Sequence, residues 1–344
     1  MLTLTKQLKN SFEIHVALPE ELPYWKRFKE LLGAERLIAI PHRKFTAKAL
    51  LALTGEIDHR NIDLLHSHGK GAGLYSRIAG VLTGRKVVHT FHGVHTGEYG
   101  ALKKWLYLRL EKLLGYFTVR VIAVSHSEFE CIRSLGILPV EKLTQIENGI
   151  EISAEVATHQ AHEQFRVVTV TRFDFAKNPE LLAEIVESTC SVDSNARIAF
   201  DIIGEGDGSE SIHSRLVRLS SLGRVRFHGW VEDPKTIFAN ADCYLSTSRW
   251  EGLPLAILEA AAQGCPAIAS NVQGNIDVVK EGETGFLYPI NSPEAARSLI
   301  ERLANQPELV RRLGSAARKR IIEKYSDSAM ARKTSDLYRT LLAD

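Results

Sequence analysis

The segment Glu251-Gly-Leu-Pro-Leu-Ala-Ile-Leu-Glu259 places two carboxylates on either side of a proline. Pro254 is expected to be the first residue of a helix that Gly264 and Pro266 bring to an end. The amides around Gly252, Leu253 and Leu255, just before and inside that first turn, then form a site for an anion such as a diphosphate; Pro254 has no N–H to offer. Glu259 falls among Leu255, Ile257, Leu258 and Ala260, where an unpaired carboxylate is costly to bury. A ribose diol donating two O–H bonds would satisfy it. The plainer reading turns Glu259 to solvent, but its apolar flanks favour a bound partner.

A second candidate is Arg172-Phe-Asp-Phe-Ala-Lys177-Asn-Pro. It follows the apolar run Val167–Thr171 and precedes a helix that Asn178 is expected to cap and Pro179 to open. Open α/β sheets bind ligands beyond the carboxyl ends of their strands, and this loop falls there. Arg172 can fork onto a phosphate while Lys177 supplies a point charge; two solvated loop cations would give the same letters.

Other motifs are weaker. Ile202-Ile-Gly-Glu-Gly-Asp-Gly208 closes a strand but is not a full dinucleotide fingerprint, and no fitting acidic residue follows, so it reads as a turn near the same site. His66, His68, His89, His92 and His95 cluster in the first half. Alternation on strands could mimic metal ligands, yet His66 and His89 belong to different strands and no acidic residues complete a shell. Core or cleft hydrogen bonding is the better reading, with His92, just past a strand in Thr90-Phe-His-Gly93, as the one at a cleft edge.

The elements that must hold these residues alternate regularly. Short β-branched runs such as Lys86–Thr90, Arg120–Val124, Arg197–Ile203 and Cys243–Ser246 are separated by helical patterns such as Gly73–Leu82, Leu102–Leu114 and Pro254–Gln263. Apolar rather than alternating strands joined by helices imply parallel sheets covered on both faces. At 344 residues the chain suits two such units. The polar stretch Glu151–Gln164 marks the boundary. The expected layout is a first α/β domain over 1–150, a linker over 151–165, a second domain over 166–328, and a last helix over 329–344 packing back towards the first.

Net charge of +2 argues against a dedicated nucleic-acid binder. The charge is uneven, with 21 Lys and Arg against 14 Asp and Glu in residues 1–150 and 22 against 27 in the rest, so the first half is better placed to meet an anionic partner. Cys131, Cys190, Cys243 and Cys265 show no paired spacing and read as reduced thiols rather than a metal or disulfide framework. No apolar run is long enough to span a bilayer and no signal peptide opens the chain, which makes the cytoplasm the default compartment. Gly100–Val119 joins Lys103, Lys104, Arg109 and Lys112 to Trp105, Leu106, Tyr107 and Leu110. Such a helix can rest peripherally on an anionic membrane and reach a lipid-linked acceptor; the favoured reading is an ordinary domain helix with a solvated charged face.

Taken in order, His66-Ser-His-Gly-Lys70, Thr90-Phe-His-Gly93, Val124-Ser125, Asn148-Gly149, Arg172 with Lys177, Gly204-Glu-Gly206, Phe227-His-Gly229, Ala241-Asp242, the Glu251–Glu259 pair and Thr284-Gly-Phe286 resemble the retaining GT-B glycosyltransferases of family four over nearly the whole chain. The resemblance implies two Rossmann-like, doubly wound domains facing a cleft that holds a nucleotide diphosphate sugar. It implies that Arg172 and Lys177 bind the diphosphate, that Glu259 binds the donor ribose, that Glu251 lies near the donor sugar and that His92 touches the transferred sugar. The loop Phe227–Val231 would flank the nucleobase, placing Gly204 and Val231 with Gly252, Leu253 and Leu255 among the donor contacts. No metal or other cofactor is implied, because helix amides and two cations replace it. Retention is ascribed to same-face attack, with the departing phosphate helping to deprotonate the acceptor hydroxyl.

The family opens with a strand, a glycine-rich loop and a helix, of which Leu2–Asn10 matches only the helix end, so about 15–25 further residues are expected ahead of Met1. The function expected is sugar transfer to a glycan or lipid-linked acceptor in envelope, capsular or lipopolysaccharide assembly. A catalytically silent nucleotide-sugar binder and a nucleotide-sugar epimerase are the other readings, and the Glu251–Glu259 spacing favours transfer over epimerisation.

Overall fold

The computed structural model describes residues 1–42, 44–94, 99–153, 163–190 and 198–343. His95 and most of the expected linker lie outside them. In chain order the elements are α1 (Leu2–Leu8), β1 (Val16–Leu18), α2 (Tyr24–Leu32), β2 (Leu37–Ala39), α3 (Ala47–His59), β3 (Leu64–His68), α4 (Gly69–Thr83), β4 (Lys86–Thr90), α5 (Ala101–Tyr116), β5 (Arg120–Ala123), α6 (His126–Leu135) and β6 (Leu143–Gln145). The second half continues with β7 (Phe165–Val170), α7 (Pro179–Thr189), β8 (Ile198–Ile203), α8 (Ser209–Ser221), β9 (Val225–Gly229), α9 (Lys235–Ala239), β10 (Cys243–Ser246), α10 (Leu255–Ala262), β11 (Ala267–Ser270), α11 (Asn275–Val278), β12 (Gly285–Tyr288), α12 (Pro293–Ala304), α13 (Pro307–Lys324) and α14 (Asp327–Ala343).

The chain folds as two compact units, one made of Met1–Glu151 with Asp327–Asp344 and one of Ile152–Ser326. In the first, β3-β4-β5-β6 form one sheet and β1-β2 another. In the second, a single sheet runs β12-β11-β10-β7-β8-β9, and every strand pair in both units is parallel. The sequence of β8, Ile198-Ala-Phe-Asp-Ile-Ile203, is buried at every position, which requires cover on both faces. Leu182, Ile185, Ile212 and Ile300 from α7, α8 and α12 supply much of it. The order reverses beside β7, the central strand from which the chain steps first towards β8 and then across to β10. Loops leaving β7 and β10 at their carboxyl ends therefore emerge side by side, where this fold places ligands.

The first unit is completed from the other end of the chain. On α14, Met330, Leu337 and Leu341 pack with Val88, Ile122 and Ile146, and Ala331 packs with Leu4 and Leu8 of α1. Inside this unit Arg77 of α4 donates from Nη1 to Glu111 Oε2 of α5 at 2.6 Å, with both side chains almost fully buried. The pair fixes which face of α5 turns inward. All four cysteines are free thiols, three of them buried, and no described helix is long and apolar enough to cross a membrane.

Removing one member of the Arg77–Glu111 pair strands a buried charge. Glu111→Ala is expected to cost about 3–5 kcal/mol in urea unfolding, and the apolar double change Arg77→Met/Glu111→Leu to recover most of it. An unchanged midpoint for Glu111→Ala would show that the pair carries no weight.

Candidate active site

The loop after β7 is shaped by what presses on it. Thr171 N donates to Ile203 O and so prolongs the pairing with β8, and Phe173 then turns inward at φ 54° with its ring buried. Behind it, a Cβ on Gly204 would stand 1.8 Å from Thr171 O, and one on Gly206 1.7 Å from Arg172 O. Gly204, at φ 122°, could not accept a side chain on conformational grounds either. The glycines of Gly204-Glu-Gly-Asp-Gly208 are thus spacers that let the turn lie against residues 171–173. From the same turn Glu205 accepts the amide of Trp230 at 3.2 Å, tying it to the Phe227–Val231 loop.

Arg172 projects outward, 69% exposed, with Nη2 at 3.0 Å from Asp174 Oδ2. Asp174 caps the short 3-10 turn Phe175–Lys177 by accepting the Lys177 amide. Lys177 has a different carboxylate partner. Its Nζ lies 2.6 Å from Glu251 Oε1, an atom that also accepts Ser248 Oγ at 2.6 Å. This ion pair joins the loop after β7 to the loop after β10 at the entrance to α10.

Further bonds lock the two loops in register. Arg249 N donates to Ala176 O, its Nε to Phe175 O, and its Nη2 to Asn178 Oδ1 at 2.7 Å. Thr247 Oγ1 donates to Lys177 O. On the far side, Glu251 N donates to Gln273 O, and Gly274, at φ 84°, leaves no room for a Cβ, which would stand 2.7 Å from Glu251 O. Ser270 Oγ donates to Ser248 O, and the fully buried Asn275 donates from Nδ2 to Ser270 O. Helix α10 is held at its other end by α13, where Arg318 Nε donates to Ala262 O. A cation at that terminus also suits the helix dipole.

Gly252, Leu253 and Pro254 are buried immediately before α10, and Leu255 opens it. Amides at a helix head have no intrahelical acceptor and carry the positive end of the dipole. Pro254 is the residue before the helix, in an extended conformation, and not its first helical residue as the sequence suggested. One turn further in, Glu259 is partly buried, and among the described residues no side chain donates to it. Burial raises its carboxyl to about 7, with Asp233 adding to the rise and Lys235 opposing it. One end of one sheet therefore carries the head of α10, the Lys177–Glu251 ion pair and a carboxylate to which no described side chain donates, while Arg172 is turned outward onto Asp174.

The first unit gathers histidines at the carboxyl ends of β3 and β4. His66 Nε2 pairs with Thr90 Oγ1 at 2.8 Å and its Nδ1 with Tyr338 of α14. His89 is wholly buried, with Ser67 Oγ on its Nδ1 at 3.0 Å. His68 Nδ1 meets His92 Nε2 at 2.8 Å, and the two rings stack. Burial depresses the pKa of all four, that of His66 to about 3, so they are neutral at pH 7. One nitrogen of the His68–His92 contact donates and the other accepts. His92 reaches solvent at φ 58°, and its strained turn is fixed by Glu128, which accepts both the Gly93 amide and, at 2.7 Å, the Val124 amide. Among the described residues, no His, Cys, Asp and Glu come together as a metal-binding group.

Comparison with known proteins places the chain. Residues 153–320 match the family described as glycosyl transferases group 1, and residues 1–154 match glycosyltransferase family 4. The chain belongs to the group 1 glycosyltransferases. It is 28% identical to the UDP-Gal:alpha-D-GlcNAc-diphosphoundecaprenol alpha-1,3-galactosyltransferase of Escherichia coli, over 85% of this chain and 79% of that one. It is 24% identical to the capsular polysaccharide biosynthesis glycosyltransferase CapM of Staphylococcus aureus, over 82% and 77%. Anabaena HepE in complex with UDP-glucose superposes with a TM-score of 0.84 at 18% identity, covering 98% of this chain and 94% of that one. Sucrose-phosphate synthase from Thermosynechococcus elongatus gives 0.75 at 23% identity, over 89% and 81%. These likenesses establish a GT-B fold for the transferase.

Several residues that shape the transferase's candidate site escape sequence reasoning. Ser248 and Arg249 sit in a stretch with no pattern; Ser248 acts on Glu251 three residues on, and the role of Arg249 appears only when two loops from non-adjacent segments meet. Asn178 does precede α7, but its side chain accepts from Arg249 and makes no capping bond to the helix. Glu128 had a legible signal: Ser125-His-Ser-Glu128 is a capping-box pattern, and Ser125 Oγ does accept the Glu128 amide at 3.1 Å. Its carboxylate reaches two strand-end loops as well, which the pattern does not announce.

Two outcomes follow from this geometry. Because Glu259 titrates near 7 in the folded chain against an ordinary 4.5, its ionisation penalty is full above pH 7 and gone below about pH 4.5. Glu259→Gln should therefore stabilise the protein by about 1–3 kcal/mol at pH 8 and much less at pH 5; equal gains at both values would contradict the burial argument. Gly206→Ala should lower stability by about 1–3 kcal/mol in urea unfolding, because the new methyl group must displace the Arg172 carbonyl. Wild-type stability for that variant would mean the turn is not pressed against the loop.

Proposed function

We propose that this glycosyltransferase binds a nucleoside diphosphate sugar on its second unit and transfers the sugar, with retention, to a lipid-linked glycan acceptor in surface-polysaccharide assembly. The observation that carries the reading is the convergence of Lys177, Glu251 and the Gly252–Leu255 helix head at 2.6 Å pairing distance, with the donor-seeking Glu259 one turn deeper. A diphosphate laid on the helix head meets backbone N–H groups, the Lys177 ammonium and the exposed Arg172. The ribose then falls towards Glu259, whose carboxylate accepts the two hydroxyls it lacks. Glu205, fastened to Trp230, fixes the turn and the loop that would border the base.

In the reaction the bond from the anomeric carbon to the diphosphate oxygen breaks as the acceptor oxygen bonds to the same face. The acceptor proton passes to the departing phosphate. Negative charge grows on the diphosphate, and the fixed dipoles and cations already aimed there stabilise it without a metal ion. Arg172 and Lys177 serve this charge, Glu251 orients Lys177 beside the sugar, and the neutral His92 hydrogen-bonds a sugar hydroxyl. The HepE complexes with UDP and UDP-glucose support a uridine diphosphate donor. The Escherichia coli relative, named for a diphosphoundecaprenol acceptor, supports a lipid diphosphate as the receiving end. CapM supports the capsular pathway.

Thermal unfolding with added UDP, GDP and ADP tests the donor site. UDP is expected to raise the melting temperature, and Lys177→Ala to weaken apparent UDP binding about 10- to 100-fold, the worth of one charge-assisted contact. Transfer from UDP-sugars to a lipid diphosphate acceptor should fall further than binding does, since the leaving-group charge exceeds that of the bound donor. Stabilisation by UDP with no transfer to any acceptor would favour a nucleotide-sugar binding protein, and no stabilisation by any nucleotide would refute the donor site.

A further inference from the structure

The two cations after β7 are held in different ways. Lys177 is the fixed one: its side chain is 20% exposed, and its ammonium lies 2.6 Å from Glu251 Oε1, an atom that Ser248 Oγ also reaches. Arg172 is 69% exposed and pairs with Asp174, itself 42% exposed, with Nη2 at 3.0 Å from Oδ2. An ion pair so open to water is weak, and exposed side chains change rotamer fast.

The backbone beneath Arg172 does not share that freedom. Phe173 turns at φ 54° with its ring buried, and its amide donates to Thr171 Oγ1 at 3.1 Å. The Gly204–Gly208 turn presses on the same stretch, so that a Cβ on Gly206 would stand 1.7 Å from Arg172 O and one on Gly208 2.7 Å from Phe173 O. Asp174 is anchored as well. Its Oδ1 accepts the Lys177 amide at 3.0 Å, and its carbonyl oxygen accepts the amides of Lys177 and Asn178 at 3.1 and 3.2 Å. Oδ2 is the oxygen left for Arg172, and the Arg172 side chain is the part with room to move.

We propose, on the reading that Arg172 and Lys177 meet the donor diphosphate, that Asp174 is a positioning residue that competes with that diphosphate for Arg172. The carboxylate holds the guanidinium by one exposed contact. An arriving diphosphate offers more negative charge and more acceptor oxygens, and draws the guanidinium off by rotation of its side chain alone. Asp174 stays where it is, because its other oxygens cap the Lys177 turn. When the nucleotide product leaves, Asp174 takes Arg172 back. The donor site thus has one permanent cation, Lys177, and one exchangeable cation, Arg172. Such a site binds the nucleotide product less tightly than two fixed cations would, and lets it go sooner.

Titration calorimetry with UDP on the wild type, Asp174→Asn, Arg172→Ala and the double variant tests this. Asn keeps an oxygen for the Lys177 amide and removes the charge that holds Arg172. Asp174→Asn should therefore unfold at the wild-type temperature and bind UDP about two- to fivefold more tightly, the range that one exposed ion pair spans. The gain should shrink as salt rises and vanish in the Arg172→Ala background. The donor KM should fall while kcat does not rise, a split that a damaged turn would not give. Asp174→Ala, which also loses the cap, should bind UDP less tightly than Asp174→Asn. If Asp174→Asn binds UDP no better than the wild type, or worse, the carboxylate does not withhold Arg172 and the proposal is overturned. A gain that persists in the Arg172→Ala background overturns it too, since Asp174 would then merely repel the nucleotide. A wild-type chain that binds no UDP would remove the donor site and the competition for Arg172 together.

Discussion

The ion pair between Lys177 and Glu251 is the contact on which the candidate donor site depends. It closes two loops that leave non-consecutive regions of the chain, one after β7 and one after β10, and it does so at the head of α10. Without it, a lysine and a glutamate would sit in separate loops, each free to find water. With it, an ammonium is parked beside helix amides in a largely desolvated place, where a fixed charge acts on a ligand far more strongly than in bulk water. Glu251 thereby acts on Lys177 as much as on any ligand. It accepts Ser248 Oγ and the ammonium on one oxygen, and that crowding sets where the cation points.

The parallel sheet makes this closure possible. Central strand β7 has β8 on one side and β10 on the other, so their carboxyl-end loops share one rim. Packing then decides how closely the loops approach. Gly204 and Gly206 bring one turn to within van der Waals contact of the Arg172 loop, and Gly274 does the same for the segment before α10. Arg249 bridges three backbone or side-chain acceptors across the seam. The first unit uses a related device, with Glu128 gathering the amides of two strand-end loops beneath the strained His92 turn. In both units, polar side chains hold the loops at the carboxyl ends of the strands, where open α/β sheets place ligands.

Much of this was legible from residue order. Apolar, non-alternating strands separated by helical patterns signalled parallel sheets, and β8 and β10 are buried at every position accordingly. The apolar company of Glu259 foretold a carboxylate under strain, and its raised pKa follows from that burial. What the letters could not supply was which loops meet. Arg249 and Gly274 act through partners tens of residues away, Ser248 acts on Glu251 within its own loop, and no local pattern marks any of them. The division of the first unit between residues 1–151 and the last helix depends on long-range packing of Met330, Leu337 and Leu341. Helix α5 shows a different limit. Its leucines and aromatics fall on more than one face, so periodicity alone does not say which face is inside; the buried Arg77–Glu111 pair does.

Where a nucleoside diphosphate sits on the second unit is the deciding fact, and a crystal structure of the chain with UDP measures it directly. The diphosphate is expected against the amides at the head of α10 and within hydrogen-bonding distance of Lys177 Nζ, with both ribose hydroxyls on Glu259. UDP bound elsewhere on the protein, or bound with Lys177 still paired to Glu251 alone and Glu259 untouched, would contradict it.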